Sequence, residues 1–563
     1  MDWLAGYFEK YPEIAVFLAI GLGYWIGNWK VRGIGIGPVT GSLLAGVLIG
    51  YFWHVPVSDT AKSLLFLMFM YGIGYSAGPG FVRGVREGGW RWVALGCLMP
   101  LAGLLTAYAM ARLLNLELGY ASGMMSGGLT ESPVIGTASE AIRSLHIPDD
   151  EKNRLIAQIP VADALCYLFG TVGLILFCSH VGPWLLRIDM QAEARKLEQE
   201  MGIERVAPGV SSAWQMFDFR AIEVAPNGPA VGKTIGQAES MLTHDRIFIE
   251  RVRRGGQIIP ASTDFVLAPG DVVAAMGKHE SLLHVLGGDR REVFDRELLD
   301  VPSATLDVVL RKRDFSGRTL EELSRDAQQV RGVFLESIRR AGEQIPIGPG
   351  TQVYRGDLLT LHGLEPAVRR VAAVVGDVLQ ERGTDYLALG LAICVGALLG
   401  VVIAFPIGGV HVALGSSVAT LLVGLAMGWR NSVRPSFAIL AADAIDLMKA
   451  IGLAGFVAMI GLKAGPVFVK ALQQVGLTVF FGGIVVTLTP LLTGLFVGRY
   501  VLRLNPLLLL GALAGAQTMT AGLAAVQERS QSPVAVIGYS STVAFGHVLI
   551  SIGGTALVWM LHA

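Results

Sequence analysis

The sequence predicts a polytopic α-helical membrane protein, built from inverted repeats with re-entrant hairpins and interrupted by an α+β insert. Composition supports a membrane protein, because hydrophobic residues make up 52% of the 563 positions and charged residues only 16%. Soluble proteins average about 25% charged residues. Motifs that recur in both apolar parts of the chain indicate the repeats, and a change to charged, mixed sequence at residues 189–383 indicates the insert.

The first apolar part, residues 1–188, contains five segments that approach the length of about 20 residues needed to cross a bilayer. They cover roughly 12–30, 36–53, 61–82, 91–113 and 158–181. A shorter stretch rich in Gly and Thr, residues 119–142, precedes the fifth segment. Non-helical backbone at membrane depth is tolerated only where protein or a water-filled cavity covers it. We therefore predict that this stretch is a re-entrant hairpin or a broken helix.

The second apolar part, residues 384–563, repeats this order. Its segments cover roughly 385–405, 411–429, 447–469, 475–502 and 533–561, and its Gly/Thr-rich stretch covers 506–526. GYSAGP at 74–79 recurs as GLKAGP at 461–466, a shift of 461 − 74 = 387, and GGLTES at 127–132 recurs as GAQTMT at 515–520, a shift of 515 − 127 = 388. Duplicated halves with matching broken helices are typical of secondary transporters, whose substrate site lies between the repeats.

An odd number of spans in each half predicts that the second half is inverted. With the insert in the cytoplasm, the basic residues of the short loops fall mainly inside: Lys30, Arg32, Arg83, Arg86, Arg91, Arg430, Arg434, Arg499 and Arg503. The outside turns 54–58 and 405–411 contain no Lys or Arg. The positive-inside rule therefore favours both termini outside, although Lys463 and Lys470 lie near an outer end. Six full spans in each half would instead give parallel repeats.

The insert is predicted to begin with a charged linker helix at 189–204, followed by two similar modules at 205–290 and 291–383. VGKTI at 231–235 matches SGRTL at 316–320, a shift of 316 − 231 = 85, and GDVV at 270–273 matches GDLL at 356–359, a shift of 356 − 270 = 86. Each module mixes short β-type runs with Gly-Asp turns and a closing helix, which is typical of a small α+β fold.

The hairpin motif GGLTESP, residues 127–133, is the sharpest candidate for a binding site. Glycines free the backbone, a proline interrupts the helical hydrogen bonds, and hydroxyls are supplied nearby. A helix N-terminus at such a break presents unpaired N–H groups and a partial positive charge, which suits a carboxylate. Together with its counterpart, the motif gives the predicted substrate-binding residues Gly128, Thr130, Ser132, Pro133, Gln517, Thr518 and Thr520. A kinked packing hairpin without a ligand is the alternative.

Other polar residues in apolar sequence are candidates for coupling, gating or binding. Asp163 is an ion- or proton-coupling residue, a partner for a substrate amino group, or an interfacial charge. Glu131 is either a gate or a solvated residue at the hairpin tip. Lys463 could pair with a substrate carboxylate, although snorkelling towards the interface fits a helix end better. Ser416 and Ser417, at the start of the second helix of the second half, either line the same cavity or cap that helix. His547, within the last apolar segment, is predicted to be a packing residue.

Several classes of function are disfavoured. The cysteines lie in apolar runs without Cys-x-x-Cys spacing, which argues against disulfides and zinc: Cys97, Cys166, Cys178 and Cys394. VGKT at 231–234 lacks the earlier glycine of a phosphate-binding loop, since Asn227 stands there. The sequence therefore predicts neither an enzyme nor a bound cofactor or metal, and a net charge of zero gives no indication of a nucleic-acid partner.

Taken together, these motifs resemble the aspartate:alanine exchanger family of bacterial transporters over nearly the whole chain. The resemblance rests on G-x-x-A-G-P and on the paired hairpin motifs, in two membrane domains that flank a cytoplasmic pair of RCK C-terminal (TrkA-C-type) domains. It implies electrogenic exchange of aspartate for alanine, with succinate or other C4-dicarboxylates as substrates of some members. It also implies a homodimer in the bacterial inner membrane, an elevator-like movement of the hairpins, and a hairpin role for Thr130, Ser132, Pro133, Gln517, Thr518 and Thr520.

The leading hypothesis is therefore a secondary active antiporter of small carboxylates or amino acids. The alternative is an RCK-regulated ion channel or cation-uptake protein, which the missing selectivity-filter motif and the two-fold repetition disfavour. A membrane receptor that senses a nucleotide through 205–378 is a third possibility. The insert is expected to modulate the carrier or to stabilise the dimer, and its small-molecule ligand cannot be read from the sequence.

Overall fold

The computed structural model describes residues 2–31, 34–35, 37–86, 89–203, 217–241, 247–278, 282, 292–324, 332–340, 343–379, 384–407, 410–433 and 439–562. The chain forms two compact units. The first comprises Met1–Glu198, Arg339–Ile345 and Glu381–Ala563, and the second comprises Gln199–Ile338 and Pro346–Gln380. The fold class is confirmed: the protein is mostly helical, with apolar helices that could span a membrane and a central α+β region.

The first half of the first unit contains nine helices and two short strands among its described residues. They are α1 (Asp2–Lys10), α2 (Pro12–Gly27), β1 (Lys30–Val31), β2 (Ile34–Gly35), α3 (Gly37–Phe52), α4 (Asp59–Arg86), α5 (Trp90–Leu113), α6 (Leu118–Gly128), α7 (Pro133–Arg143), α8 (Asp149–Leu176) and α9 (Gly182–Leu186). A π-helical turn, Phe177–Val181, joins α8 to α9. The helix α10 (Met190–Met201) follows.

The segment that follows α10 contains two sheets with short helices. Its elements are β3 (Phe217–Glu223), α11 (Ile235–Glu239), β4 (Ile247–Arg254), β5 (Gln257–Pro260), β6 (Val272–Lys278), α12 (Arg296–Leu299), β7 (Ser303–Leu310), α13 (Leu320–Ser324), β8 (Val333–Arg340), β9 (Glu343–Ile345), β10 (Leu358–Leu364), α14 (Glu365–Val375) and β11 (Gly376–Val378).

The second half of the first unit repeats the order of the first half. Its elements are α15 (Tyr386–Val402), β12 (Ala404–Ile407), β13 (Val410–Ala413), α16 (Ser416–Val433), α17 (Ala442–Phe496), α18 (Pro506–Ala516), α19 (Thr520–Ser530) and α20 (Val536–His562). In each half a short antiparallel hairpin separates the first two apolar helices of the repeat. The second of these helices follows or begins at a glycine with positive φ, Gly37 at 79° and Gly415 at 89°.

Helix lengths differ from the predicted spans at the start of each half. Within the described part of the chain, six helical segments are long and apolar enough to cross a membrane: Asp59–Val82, Trp90–Leu113, Asp149–Leu186, Ala442–Pro466, Leu472–Val501 and Val536–His562. The first two helices of each repeat contain only 16 to 18 residues, because the β hairpin takes up the sequence between them. The two spans predicted at 447–469 and 475–502 lie on one uninterrupted helix, α17, in which Pro466 does not end the helical backbone.

The two halves interlock through matched glycines. A Cβ atom on Gly46 or Gly50 of α3 would lie 2.4 or 2.1 Å from a carbonyl oxygen of α17. A Cβ atom on Gly424 or Gly428 of α16 would lie 2.6 or 2.0 Å from a carbonyl oxygen of α4. The positions correspond, since 424 − 46 and 428 − 50 both equal 378. Each half thus packs its second helix directly against the third helix of the other half, as small residues allow in membrane proteins.

The repeated G-x-x-A-G-P motif belongs to the same interface. Cβ atoms on Gly74 and Gly78 of α4 would lie 2.1 and 2.3 Å from carbonyl oxygens of α16. The counterparts Gly461 and Gly465 of α17 approach the backbone of α3 in the same way, with Cβ positions 2.5 and 2.7 Å from its carbonyl oxygens. The motif by which the repeat is recognised in the sequence therefore forms part of the packing contact between the two halves.

The segment that follows α10 contains two modules with the same sheet topology among its described residues. The strand orders are β3-β6-β4-β5 and β11-β7-β10-β8-β9, so that β11 is the only addition to the second described sheet. Thr234 and Thr319, 85 residues apart (319 − 234), each form a capping box at the start of a short helix, with Gln237 and Glu322 respectively. The modules contact each other through Phe248 and Phe334, whose ring centroids lie 5.4 Å apart.

We predict that adding one methyl group at Gly428 destabilises the first unit, because its Cβ would lie 2.0 Å from the carbonyl oxygen of Tyr75. Overpacking of this kind costs about 1–3 kcal/mol, so Gly428→Ala should lower the unfolding temperature in detergent, and Gly50→Ala should lower it similarly. Gly390→Ala on α15 is the control, since nothing lies within 4 Å of a Cβ there. Equal unfolding temperatures for Gly428→Ala and Gly390→Ala would contradict the prediction.

Candidate functional site

The two predicted hairpins form the same turn. α6 and α18 each end in a Schellman motif, with bonds from Glu131 N to Ser126 O (3.0 Å) and from Met519 N to Ala514 O (2.9 Å). The residue in the left-handed conformation is Thr130 in one hairpin and Thr518 in the other, both with φ of 57°. Glycine usually occupies this position, and a β-branched residue there is strained. We call the residues between the two helices of each hairpin, 129–132 and 517–519, its tip. Each tip therefore combines a strained backbone with a hydroxyl group.

The two tips are in direct contact. Thr130 Oγ1 donates a hydrogen bond of 2.9 Å to the main-chain oxygen of Gln517. Thr518 Oγ1 donates one of 2.5 Å to the carboxylate of Glu131. Each threonine hydroxyl thus reaches across to the opposite hairpin. The structure thus brings both interrupted helices of the first unit together through hydrogen bonds between their polar groups.

Glu131 is the only acidic residue on either described tip. Its counterpart in the second hairpin, at a shift of 388, is Met519. Its side chain is 2% exposed, and a buried carboxylate without partners would be very costly. Besides Thr518, it accepts a hydrogen bond from Ser551 Oγ (3.3 Å) and lies 3.1 Å from His547 Nδ1. His547, which the sequence suggested as a satisfied packing histidine, thus has its polar partner at the tips.

Three glycines bring the first hairpin against α8. Cβ atoms on Gly119, Gly123 and Gly127 would lie 2.1, 2.1 and 2.4 Å from the carbonyl oxygens of Leu155, Ile159 and Asp163 respectively. This four-residue spacing places all three glycines on one face of α6. The helix therefore lies directly against α8, and its tip reaches the level of Asp163.

Asp163 is buried, with 2% of its surface exposed. Its Oδ1 atom has no hydrogen-bond partner among the residues that the structure describes. Its counterpart in the second half is Ser551, a shift of 551 − 163 = 388, which is the serine that donates to Glu131. The interfacial interpretation of Asp163 does not fit this burial, because an interfacial charge would contact water.

Gln517 and Thr487 complete the polar surroundings of the tips. Thr487 Oγ1 donates to the main-chain oxygen of Gly128 (2.7 Å), and Gln517 Nε2 donates to that of Thr487 (3.4 Å). Gln517 Oε1 is buried and lacks a hydrogen-bond partner within the described part of the chain. An unused buried acceptor is costly, so this oxygen is available to a donor group.

The helix starts at the two tips differ from each other. On α7, Pro133 has no N–H group, and the N–H groups of Val134 and Ile135 bond to the carbonyl oxygens of Glu131 and Ser132 at 3.1 and 3.0 Å. This helix start does not offer the free N–H groups that the sequence suggested. On α19, the N–H groups of residues 520–522 have no partner among the described residues, and Met519 provides no side-chain cap. Only the second tip presents an open helix N-terminus.

The remaining predicted residues lie in different surroundings. Ser132 of the first hairpin is buried, and Thr520 of the second hairpin is exposed. Ser416 and Ser417 lie at the start of α16 and bind the carboxylate of Glu140 on α7 rather than the tips. Lys463 is exposed and donates to Asn153 Oδ1 at 3.4 Å. Asn153 precedes Asp163 by ten residues on α8, about 15 Å along the helix axis.

Sequence reasoning missed three residues that contact the predicted ones, Thr487, Ser551 and Glu140, and it named His547 without its contact to Glu131. A shift of 388 from Asp163 would have found Ser551, but no local pattern marks Thr487 or Glu140. Among the residues described, no group of three or more His, Cys, Asp or Glu side chains could hold a metal ion.

A family model described as a predicted permease membrane region matches residues 15–182 and 388–559, and a TrkA-C domain model matches residues 219–286. A protein of Bradyrhizobium diazoefficiens named an uncharacterized transporter is 43% identical over 92% of this chain and its own full length. Proteins with the same description from Shewanella oneidensis and Bordetella bronchiseptica are 36% and 35% identical, over 100% and 99% of this chain and 100% and 98% of their own lengths. No solved structure matches.

These matches cover both halves of the first unit and the first module of the second. Together with the apolar helices, they make the chain a multi-pass membrane protein of a transporter family. The resemblance drawn from the paired hairpin motifs is confirmed. The chain belongs to the aspartate:alanine exchanger family of membrane transporters, with a TrkA-C domain in its insert.

Proposed function

We propose that this protein is an antiporter that exchanges a small carboxylate, aspartate or another C4-dicarboxylate, for alanine or a related substrate. The observation that carries the proposal is the contact between two interrupted helices, one from each repeat, through the hydroxyls of Thr130 and Thr518. Broken helices that meet between repeats form the substrate sites of many secondary transporters. The protein would act as a carrier rather than as an enzyme.

The N-terminus of α19 is the proposed position of the substrate carboxylate. Its free N–H groups and partial positive charge favour an anion, and Thr520 adds an exposed hydroxyl. A carboxylate directly beside Glu131 would be repelled by the like charge. The substrate would therefore bind on the α19 side of the tips, with Gln517 Oε1 as an acceptor for a donor group of the substrate.

Transport would follow an elevator-like movement of the part of the first unit that bears the hairpins, together with the helices packed backbone to backbone against them, relative to a scaffold formed by the rest of the unit. We propose a homodimer in the bacterial inner membrane with both termini outside and the insert in the cytoplasm, as the distribution of basic residues in the short loops suggests. The insert would modulate the carrier or stabilise the dimer, in response to a small molecule that binds to it.

Counterflow in proteoliposomes tests the proposal. Purified protein would be reconstituted into vesicles loaded with alanine, aspartate or succinate, and uptake of labelled aspartate or succinate would be followed. We expect rapid uptake only into vesicles that contain a counter-substrate. Equal uptake into empty vesicles would reject exchange, and unitary currents in a planar bilayer would favour the channel alternative.

The hydroxyls that connect the tips are predicted to be required for exchange. Thr518→Val keeps the shape of the side chain but removes a donor to the buried Glu131 carboxylate, at a cost of about 1–3 kcal/mol. Exchange should fall by about tenfold or more, since 1.4 kcal/mol corresponds to a factor of ten, and Thr130→Val should act in the same direction. Thr489→Val is the control, because this hydroxyl bonds only to Val485 O of its own helix. Equal loss in the control would show that the crossing bonds have no special role.

Asp163 is proposed to carry a coupling proton or cation, because its buried Oδ1 atom has no protein partner among the described residues. An isolated charge at this depth is costly unless it is neutralised. A transmembrane pH or sodium gradient should therefore change the exchange rate of the unmodified protein but not that of Asp163→Asn. Asp149→Asn, at the exposed start of α8, is the control. A gradient effect that survives in Asp163→Asn would exclude this residue as the coupling site.

A further inference from the structure

Glu140 connects the first hairpin to the second half of the chain. It lies on α7, and its carboxylate accepts hydrogen bonds from Ser416 N, from Ser417 N at 3.0 Å and from Ser417 Oγ, all at the first turn of α16. A Cβ atom on Gly415 would lie 3.3 Å from Glu140 Oε2. A larger residue at position 415 would therefore press on the carboxylate, and its φ of 89° also favours glycine.

The two helices that this contact joins, α7 and α16, both lie against α4 but in different ways. α7 meets α4 through side chains, and a Cβ atom on Gly136 would lie 2.0 Å from the ring of Phe66. α16 lies against α4, where Cβ atoms on Gly424 and Gly428 would meet carbonyl oxygens at 2.6 and 2.0 Å. Such backbone-to-backbone packing does not allow one helix to slide independently of the other. α7 belongs to the hairpin that ends at Thr130. Movement of the hairpin relative to α16 must therefore break the contact of Glu140.

Among the residues that the structure describes, this contact is present in only one half of the repeat. At the shift of 388, the counterpart of Glu140 is Glu528 on α19, which is exposed and makes no side-chain hydrogen bond to any described residue. At the shift of 378, the counterpart of Ser416 is Pro38 at the start of α3, which has no N–H group to donate. The counterpart of Ser417 is Val39, which has no hydroxyl. The repeat thus keeps the helix start on both sides but builds the carboxylate contact on one side only.

A charged acceptor on several donors at a helix N-terminus forms a strong contact. Hydrogen bonds to an ionised group are roughly twice as strong as neutral ones, and the helix N-terminus carries a partial positive charge. A contact needed only for folding would be expected at both matched helix starts, because their glycines and backbone geometry correspond. Its presence in one half favours a role that is specific to the first hairpin.

We propose that Glu140 is a positioning residue that latches the α6–α7 hairpin to α16 in one conformation of the carrier and releases it in the other. The inference rests on the proposed function, since it requires hairpin movement during exchange. Glu140 does not touch the substrate in this proposal. It sets the conformation that the α6–α7 hairpin adopts before it moves. Breaking the contact between Glu140 and α16 is part of each transport cycle.

Reversible cross-linking tests the latch. The exposed Cys97 and Cys394 would be replaced by serine, and Glu140→Cys would be combined with Ser417→Cys. Exchange in proteoliposomes would be measured before treatment, after linking with a short bis-methanethiosulfonate, and after reduction. We expect at least a tenfold loss on linking and recovery on reduction, with the rate before linking as the reference. Glu528→Cys alone, treated with the same reagent, should keep its rate.

The outcomes separate the latch from the proposed function. If the linked protein exchanges as fast as the unlinked protein, the contact is permanent and the latch is rejected, while the antiporter proposal stands. Absence of counterflow in the unmodified protein would reject the antiporter proposal. If the double variant exchanges too slowly for comparison, maleimide labelling of Ser417→Cys decides: the latch requires labelling to be several-fold faster with substrate on both sides than without it, and equal labelling rates overturn it.

Discussion

Direct contact between helix backbones is the constraint on which the first unit depends. Helices in lipid gain no hydrophobic driving force from contact with each other, so close packing of small residues must hold them together. The glycines of α3 and α16 meet carbonyl oxygens of the opposite half at corresponding positions. Neither half can therefore pack its second helix without the other. The two interrupted helices, one from each half, also lie in contact with each other.

Buried polar groups of the first unit meet where the two interrupted helices are in contact. A non-glycine residue in the left-handed region costs about 1–3 kcal/mol and persists only where the surroundings enforce it. Thr130 and Thr518 both adopt it at matched positions, and both use their hydroxyls across the contact. Glycine would form the same turns with less strain. The hydroxyls are therefore the physical reason for threonine at these two positions.

Local patterns in the sequence predicted the repeat, the insert and the two hairpins, because Gly, Pro and Thr act on the backbone next to them. They could not predict which distant side chains face the tips. His547 and Ser551 reach Glu131 only because α20 presents one face to the first hairpin, and an evenly apolar helix gives no sign of that face in its sequence. The predicted lengths of the first two spans in each half were wrong for a related reason. Strands of two residues, such as Lys30–Val31 and Ile34–Gly35, are too short to show a strand pattern, so their sequence was assigned to the neighbouring helices.

The repeat is symmetric in its packing but not in its chemistry. The first half supplies the buried acids, Glu131 and Asp163, whose counterparts are Met519 and Ser551. The second half supplies groups that bind Glu131, namely Thr518, Ser551 and His547. Matched glycines allow both halves to keep the same packing, whereas the two tips present different side chains, such as Glu131 and Met519, at matched positions. Substrate selection should therefore depend on the tip positions where the halves differ, whereas the matched glycines set the packing that both halves share.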